Sequence, residues 1–441
     1  MAQVSVCKSF FATMPGRPVY VVGVGMTPFS KPQKDIGTGP HYTDLVKIAV
    51  ERALADACIG KEELQQAVVG NLMADRSAGQ RSLYGMGIFD IPVYNVGNAC
   101  ATGSNAIVIG RQLIEGGLID CALAVGVEKM SPGSLGGKID GQPTSMDLHL
   151  PVMLGKYPME KPVPLMPYFF GNAGKDHMAK YGTTPKHFAM VGEKNHRHSA
   201  NNPYSQFRDV YTLEQVEGAP KVYDPLTKLQ CSPTSDGAAA VILMSEEAVK
   251  KHGLEGQAVQ IIGQCMRTDA GQSFDSDNLH ERSCIDAVGF PMAQACAKEV
   301  YRQAGKGPEA VQVIELHDCF SCNELVTYEA LGLCGEGEGG KLLEAGDVTY
   351  GGKWVVNPSG GLISKGHPIS ATGLAQCSEL CWQLRGEAGP RQVPDAKVGL
   401  QHNLGLGGAC VITMYERPQQ WATLPPKRAA SGAMGFPESK L

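Results

Sequence analysis

The sequence predicts an α/β protein made of two similar halves, with an insertion in the first half. Three observations lead to this fold class. Short apolar runs recur along the 441-residue chain, each bounded by Gly or polar residues. The tripeptide Ala-Thr-Gly opens two helical patterns, at 101 and at 371, and an apolar run follows each pattern. Residues 131–230, by contrast, are rich in Pro, Gly, Met, His and Lys and follow neither pattern.

The apolar runs are predicted as buried strands. Runs that are apolar on both faces fit strands covered on both sides by other layers, as in α/β proteins. Six such runs occur, at 19–25, 121–128, 238–244, 259–263, 311–316 and 408–416. A helix is predicted over 43–60, with Thr43 as its N-terminal cap and Gly60 as its end.

The two Ala-Thr-Gly segments, 101–117 and 371–389, are predicted as helices that each end at a Gly. Both are apolar most of the way round, which is typical of helices buried between layers. We therefore expect the two halves to share a middle layer of helices. The N-terminal half is predicted over 18–130 and 231–250, and the C-terminal half over 256–417. Residues 131–230 are predicted as an inserted lid or binding segment.

Composition and charge exclude several classes of function. The formal charge of −5, without a positive cluster, argues against nucleic-acid binding. No apolar run approaches the roughly 18 residues that span a membrane. Most of the 14 cysteines lie inside apolar runs, so we expect free thiols in a reducing compartment.

Both ends resemble targeting signals. The tail 418–441 is predicted to be flexible and ends in Ser439, Lys440 and Leu441, a tripeptide recognised by the peroxisomal import receptor. Residues 1–17 form a candidate targeting segment, because the chain carries Lys and Arg but no acid before Asp35. The sequence thus predicts a peroxisomal protein, with a mitochondrial second site as the minor alternative.

Cys100 lies in "NVGNACATGSNA", among small residues and directly before a predicted helix. At a helix N-terminus, free backbone N–H groups and the helix dipole favour the thiolate, which is the reactive form. The small neighbours leave the sulfur open to a substrate. A structural Cys at a helix start is an equally good interpretation of this stretch by itself.

His317 and Cys319, in "ELHDCFSCNE", follow the predicted strand 311–316. Positions i and i+2 of an extended chain face the same way, so both can enter one pocket while Asp318 points elsewhere. Carboxyl ends of parallel strands are where α/β sites form. Because Cys319 and Cys322 form C-x-x-C, a zinc site or a redox dithiol is the alternative.

Two Gly-rich segments complete the candidate site. His367 lies in "NPSGGLISKGHPISATG", before the second Ala-Thr-Gly helix, where it corresponds to Cys100 in the repeat. The turn "QHNLGLGGA" (401–409) lies between two predicted strands and can present backbone N–H groups to an oxyanion.

These motifs together resemble the thiolases, in particular those associated with sterol carrier protein. "NACATGS" resembles the nucleophile motif, "HDCF" stands where other thiolases have N-E-A-F, "GHP" is the third motif, and "NLGLGG" replaces C-x-G-G-G. The resemblance covers about 18–417 and includes no lipid-transfer domain. It implies two βαβαβαββ halves in five layers, α-β-α-β-α, with an inserted loop domain.

The resemblance implies cleavage of a 3-ketoacyl-CoA by CoA, with CoA as substrate and no cofactor or metal. Cys100 would become acylated, His367 would take its proton, and Cys319 would be the second acid/base. His317 would help to hold the enolate oxygen.

Four further residues have weaker expected roles. The backbone N–H groups of Cys100 and Gly405 would form a second oxyanion hole. Asn403 fills the position of the missing C-x-G cysteine and would orient the site. His177 and Met178, in "HMAKYGTT", would contact the pantetheine chain.

Three alternatives remain at this point. A condensing ketoacyl synthase shares the fold and pairs one Cys with two His. A non-catalytic acyl-CoA binder and a zinc-stabilised structural protein are the others. The resemblance also implies a homodimer or homotetramer.

Overall fold

A computed structural model describes residues 16–33, 39–130, 143–274, 278 and 281–427. The import tripeptide and nearly all of the candidate targeting segment lie outside these residues, so both stay predictions. Within the described ranges, no helix combines the length and apolar character needed to cross a membrane.

The first half begins with an alternating series of strands and helices. Its elements are β1 (Val19–Met26), α1 (Tyr42–Ala57), β2 (Gln66–Gly70), α2 (Ala78–Tyr84), β3 (Val93–Val96), α3 (Thr102–Glu115) and β4 (Cys121–Glu128). The insertion follows with α4 (His149–Lys156), α5 (Leu165–Tyr181), α6 (Pro185–Ser199), α7 (Leu213–Glu217), β5 (Lys221–Tyr223) and β6 (Leu226–Thr227). The first half then closes with β7 (Gly237–Ser245) and α8 (Glu246–His252).

The second half repeats the series with additional helices. Its elements are β8 (Val259–Arg267), α9 (Cys284–Ala287), α10 (Phe290–Ala304), β9 (Val313–Glu315), α11 (Ser321–Ala330), α12 (Gly339–Ala345), β10 (Val355–Val356), α13 (Gly361–Lys365), α14 (Thr372–Arg385), β11 (Val398–Gly405) and β12 (Ala409–Glu416).

The strand order is the same in both halves. It is β3-β2-β4-β7-β1 in the first half and β10-β9-β11-β12-β8 in the second. The pairings also correspond: β2–β3, β2–β4, β9–β10 and β9–β11 are parallel, whereas the pairs that include β7 or β12 are antiparallel. The edge strands β1 and β8 join the halves through two residue pairs. The predicted pair of similar halves is confirmed.

The two Ala-Thr-Gly helices, α3 and α14, form the predicted middle layer. They contact each other, and α14 also contacts strands of both halves. Every residue of α14 is buried. On the outer sides, α1 packs on β1 and β7, and α10 packs on β8 and β12. The five predicted layers are therefore present.

Glycines allow α3 and α14 to approach closely. A Cβ at Gly103 would lie 2.5 Å from the carbonyl oxygen of Ser370, and a Cβ at Gly373 would lie 2.2 Å from Ser104 Oγ. Real Cβ atoms do not come so near to other heavy atoms, so only Gly fits at this crossing. The crossing places the loops that precede the two helices, with Cys100 and His367, next to each other.

One prediction about local structure is wrong. Helix α1 begins after His41 and ends at Cys58, which adopts a left-handed conformation, so Thr43 and Gly60 are not its boundaries. The insertion also contains more regular structure than its composition indicates, since α5 and α6 have 17 and 15 residues. Their buried faces carry polar residues such as Asn172, His177 and Asn195, which hide the helical apolar pattern.

Candidate active site

A cavity of about 460 Å³ brings together the four predicted catalytic residues. Its wall combines polar groups from both halves with apolar side chains from the insertion. The lining residues are Cys100, Pro164, Leu165, Met166, Pro167, Phe170, Val222, Cys231, Ser232, His317, Cys319, Phe320, His367, Leu404 and Leu406. A wider groove of about 650 Å³ elsewhere on the molecule has neither Cys nor His in its wall. The chemistry is therefore concentrated in the smaller cavity.

Cys100 lies in a tight turn just before α3. The preceding Ala99 has a φ of 45°, a left-handed conformation that is strained for a residue with a side chain. Thr102 holds this turn, because its Oγ1 accepts a hydrogen bond from the N–H of Asn98 and donates one to the Ala99 carbonyl, at 2.8 and 2.6 Å. Cys100 itself stays only partly buried. The turn thus presents the sulfur to the cavity.

The resting state of Cys100 differs from the sequence-based expectation. Burial, and secondly the nearby charge of Glu128, raise the pKa of the thiol to about 12. With its pKa raised in this way, the group is a thiol at neutral pH. A base must therefore remove the proton when Cys100 reacts.

His367 has the protonation state that such a base requires. Its Nδ1 lies 2.7 Å from Thr372 Oγ1, and that hydroxyl donates to the Pro368 carbonyl at 3.1 Å. The hydroxyl proton is already used, so Nδ1 carries the proton and donates to Thr372. Burial lowers the pKa of His367 to about 3, which keeps the ring neutral. Its buried Nε2 has no partner among the described residues and offers a lone pair.

Buried polar contacts hold the loop that carries His367. Lys365 forms an ion pair with Glu315 at 3.1 Å, and both side chains are almost fully buried. Asp318 accepts hydrogen bonds from the N–H groups of Leu362 and Ile363 at 2.6 and 3.2 Å. Asp318 therefore points away from the cavity, as the i, i+2 spacing of its neighbours predicts, and anchors the base loop from behind.

His317 shows the opposite arrangement of its ring nitrogens. Its Nδ1 accepts a hydrogen bond of 3.1 Å from Asn403 Nδ2, so Nε2 carries the proton. Burial, and then the neighbouring His367 and His402, lower the pKa of His317 well below its usual value. His317 is thus a neutral hydrogen-bond donor, whereas His367 is a neutral acceptor.

The two histidines face Cys100 together. One ligand-forming atom from each of Cys100, His317 and His367 lies within 4.8 Å of the other two. The two imidazole rings meet edge to face, with centroids 5.2 Å apart and planes at 82°. This geometry places one acceptor and one donor beside the sulfur, which suits proton removal and oxyanion stabilisation.

Cys319 lines the same cavity but lies outside this cluster. Burial, followed by the charges of Cys100 and Asp318, raises the pKa of the Cys319 thiol well above its usual value. It is therefore protonated at neutral pH and can act as an acid. Among the described residues, the group of three or more possible metal ligands consists of Cys100, His317 and His367 and does not include the C-x-x-C pair Cys319 and Cys322. Cys319 and Cys322 are both free thiols.

The weaker candidates fall in different places. The backbone of Gly405 packs on the Cys100 turn, since a Cβ at this position would lie 2.5 Å from the Asn98 carbonyl oxygen. Asn403 lies behind His317 and orients it without lining the cavity.

The expectation that His177 and Met178 contact substrate is not supported by their positions. His177 is fully buried, and its two ring nitrogens bond to Thr183 and Glu329. Neither His177 nor Met178 lines the cavity.

Sequence reasoning missed the residues that fix the histidines. Thr372, Ser104 and Gln401 carry no recognisable catalytic pattern, although Thr372 belongs to the repeated Ala-Thr-Gly. Its equivalence to Thr102 was the one signal that could have marked it. The insertion was predicted as a lid or binding segment, but no sequence pattern marked residues 164–167 as the part that lines the cavity.

Comparison with known proteins shows the family to which the chain belongs. Two family models match, the thiolase N-terminal domain over residues 19–247 and the thiolase C-terminal domain-like family over 271–414. Sterol carrier protein 2 of the rabbit Oryctolagus cuniculus is 55% identical over 96% of this chain and 73% of its own length.

Solved structures show the same fold at low identity. The Ltp2-ChsH2(DUF35) aldolase has a TM-score of 0.76 at 21% identity, covering 91% of this chain and 98% of that one. Human mitochondrial 3-ketoacyl-CoA thiolase has a TM-score of 0.65 at 20% identity with the same coverage, and another structure of that enzyme contains CoA. With its two matched domains and its close relatives, the chain belongs to the thiolase family of acyltransferases.

Proposed function

We propose that the protein cleaves 3-ketoacyl-CoA with CoA through a cysteine acyl-enzyme. The observation that carries this proposal is the pairing around Cys100. A thiol that needs a base lies beside one imidazole with a free lone pair and another with a free N–H. Thiolysis needs both functions, the first to form the nucleophile that attacks C3 and the second to stabilise the enolate oxygen that becomes negative when the bond between C2 and C3 breaks.

The first half-reaction forms the acyl-enzyme. Cys100 Sγ attacks the 3-keto carbon while Nε2 of His367 takes the thiol proton. The bond between C2 and C3 then breaks, and its electron pair passes to C2, giving an enolate whose oxygen accepts the Nε2–H of His317. The Cys319 thiol gives its proton to C2, so a shortened CoA thioester leaves and Cys100 retains the acyl group.

The second half-reaction returns the enzyme to its resting state. The Cys319 thiolate takes the proton of the CoA thiol, and the CoA sulfur attacks the acyl carbon. Cys100 leaves as a thiolate and regains its proton from His367. CoA is thus a substrate, and the proposed reaction requires no resident cofactor or metal.

The remaining wall of the cavity fits an acyl chain. Apolar groups come from the insertion (Leu165, Met166, Phe170) and from the second half (Phe320, Leu404). Such a surface stabilises a hydrocarbon chain by excluding water. We propose that the insertion determines acyl specificity, because it supplies most of the apolar side chains of the wall and none of the catalytic groups.

Acyl-enzyme trapping tests the proposal. The purified protein is mixed with 3-ketoacyl-CoA of increasing chain length, with and without CoA, and the peptide that contains Cys100 is analysed by mass spectrometry. We expect an acyl adduct on Cys100 that CoA discharges. Binding without an adduct or turnover would instead show an acyl-CoA binder.

A variant separates thiolysis from the condensing alternative. The ketoacyl synthase alternative, favoured by the Cys-His-His cluster, does not need the second sulfur. Cys319→Ala is expected to lower thiolysis by about 10²–10⁴-fold, the usual contribution of a positioned acid/base. Unchanged cleavage and condensation in this variant would favour the synthase. Cys231→Ala, which removes another sulfur from the same wall, is the matched control.

Location and assembly remain predictions with direct tests. A peroxisomal site, with a mitochondrial second site, predicts that deleting Ser439, Lys440 and Leu441 redirects a tagged protein in cells. The expected homodimer or homotetramer is measured by light scattering after gel filtration.

A further inference from the structure

The hydrogen bond from Asn403 to His317 is the last of a buried series. Tyr415 donates its hydroxyl to Gln401 Oε1 at 2.6 Å, so the amide group of Gln401 must turn its Nε2 the other way. That Nε2 donates to the Gly373 carbonyl at 2.6 Å. Because a carbonyl oxygen can only accept a hydrogen bond, the amide nitrogen of Gln401 must be the atom that faces it. The orientation of the Gln401 amide is therefore fixed by two independent partners.

The orientation of the Gln401 amide determines the direction of the hydrogen bonds that follow, as far as His317. Gln401 Nε2 also donates to Ser104 Oγ at 2.9 Å. The Ser104 hydroxyl then donates its own proton to Asn403 Oδ1 at 2.8 Å. Asn403 is left with its Nδ2 facing His317 Nδ1, at 3.1 Å. Gln401, Ser104, Asn403 and His317 are each at most 1% exposed, so water does not compete for these bonds.

We propose that Gln401, Ser104 and Asn403 are positioning residues that keep the proton of neutral His317 on Nε2. The same series prevents a soft divalent cation such as Zn²⁺ from binding at Cys100, His317 and His367. To ligate a metal through Nε2, His317 would have to move its proton to Nδ1. There the proton would meet the amide protons of Asn403, and two donors would face each other in a dry interior.

Without this series, the cluster would resemble a metal site. A thiolate and two imidazole nitrogens are the preferred ligands of Zn²⁺, and three protein ligands suffice for an open site. Metal-bound histidines usually donate their other N–H to a carboxylate or carbonyl. Asn403 presents the reverse polarity at that position. The inference about the tautomer does not depend on the substrate, and only its use in catalysis depends on the proposed function.

Asn403→Asp tests metal exclusion, because it replaces the donor by an acceptor of the same shape. Zn²⁺ affinity, measured by isothermal titration calorimetry of the purified full chain, is expected to rise by about 10–100-fold. The gain should disappear in the double variant Asn403→Asp/Cys100→Ala, which lacks the sulfur ligand. Equal Zn²⁺ affinity of the parent and Asn403→Asp proteins would overturn the proposal.

Ser104→Ala provides a second, independent test that leaves both Asn403 and His317 in place. Asn403 then loses the partner of its Oδ1 and can rotate. The ¹⁵N chemical shifts of labelled His317 are expected to show one Nε2–H tautomer in the parent and a mixture in Ser104→Ala. Ser378→Ala is the matched control, since the hydroxyl of this equally buried helix serine has, within the described part of the chain, the Leu374 carbonyl of its own turn as its partner.

Three results would contradict the proposal: an Nδ1–H tautomer in the parent protein, an unchanged tautomer in Ser104→Ala, or a shift in Ser378→Ala as well. In the thiolysis assay, Ser104→Ala should lower kcat by about tenfold with little change in KM, because the lost donor acts on charge that develops in the transition state. A parent without thiolase activity would refute the proposed function, yet it would leave the tautomer and Zn²⁺ results interpretable.

Discussion

The turns that precede α3 and α14 occupy the same place in the two halves, yet they do different chemical work. In the first half, the hydroxyl of Thr102 forms its hydrogen bonds to the described residues with backbone groups and holds the turn that presents Cys100. In the second half, the hydroxyl of the equivalent Thr372 accepts a hydrogen bond from His367 Nδ1 and so keeps the ring proton on that nitrogen. One repeated threonine thus supports a shape in one half and a protonation state in the other.

The difference extends to the whole cavity. The first half supplies the nucleophile, whereas His317, Cys319 and His367 all come from the second half. The helix crossing at Gly103 and Gly373 brings the two sets together. Duplicated topology therefore provides the frame, and the divergence of a few residues in each turn divides the reaction between the halves.

Replacing Cys100 or His367, the functional side chains of the two turns, should cause the largest loss of thiolysis activity. Cys100→Ser is expected to lower kcat/KM by about 10⁴-fold or more, because a hydroxyl is a much poorer nucleophile with the same base. His367→Gln should lower it by about 10²–10⁴-fold. Steady-state thiolysis measures both. Equal, small losses in the two variants would contradict the assignment of nucleophile and base to separate halves.

The next largest effect on stability and activity is expected when α3 and α14 are pushed apart at their crossing. Gly373→Ala forces a methyl group against Ser104 and Asn403, so it should destabilise the fold by about 1–3 kcal/mol. It should also lower kcat by about 10²-fold, because nucleophile and base move apart. Denaturant unfolding and thiolysis are measured together. Gly85→Ala at the end of α2, where the nearest atom would be 3.4 Å away, serves as the neutral control.

The two threonines should differ in which quantity they change. Thr102→Val leaves the Asn98 N–H without its partner and should lower the free energy of unfolding by about 1–3 kcal/mol. Thr372→Val should mainly lower kcat, by about tenfold, because His367 can then place its proton on either nitrogen. Thr372→Ser should restore the rate. The same balance of stability and rate effects in both Val variants would argue against the contrast between the turns.

The smallest expected effect concerns how the alkylation rate of Cys100 depends on pH. Because its thiol has a pKa of about 12, alkylation by iodoacetamide should accelerate by about tenfold per pH unit between pH 7 and 9, without a plateau. Glu128 has a pKa raised to about 7, mainly by burial, so it is charged only above that pH. Glu128→Gln should therefore speed alkylation about threefold at pH 8 and hardly at pH 6. Peptide mass spectrometry gives the rate at Cys100.

If the alkylation rate instead reached its plateau below pH 7, Cys100 would be a thiolate paired with a histidine imidazolium in the resting enzyme. It would restore the expectation drawn from the helix N-terminus. The outcome decides whether burial or the helix dipole governs the nucleophile in the first half.

Local sequence determined a large part of the fold and of the candidate site. The runs 121–128 and 238–244 became β4 and β7, since a short run that is apolar on both faces fits a strand covered on both sides. The Ala-Thr-Gly repeat located α3 and α14. Each of the motifs with Cys100, His317, Cys319 and His367 has another interpretation by itself, and their combination, which resembles the thiolases, identified the four residues.

The tertiary structure alone decided the protonation states and the supporting contacts. The pKa of Cys100 depends on burial by distant segments and on Glu128, whose proximity to Cys100 no local pattern predicts. The tautomer of His317 depends on Ser104, nearly 300 positions before Asn403 in the chain. Sequence patterns record which groups are available within a few residues. Proton positions depend on desolvation and on directional hydrogen bonds, and the folded chain creates these between residues far apart in sequence.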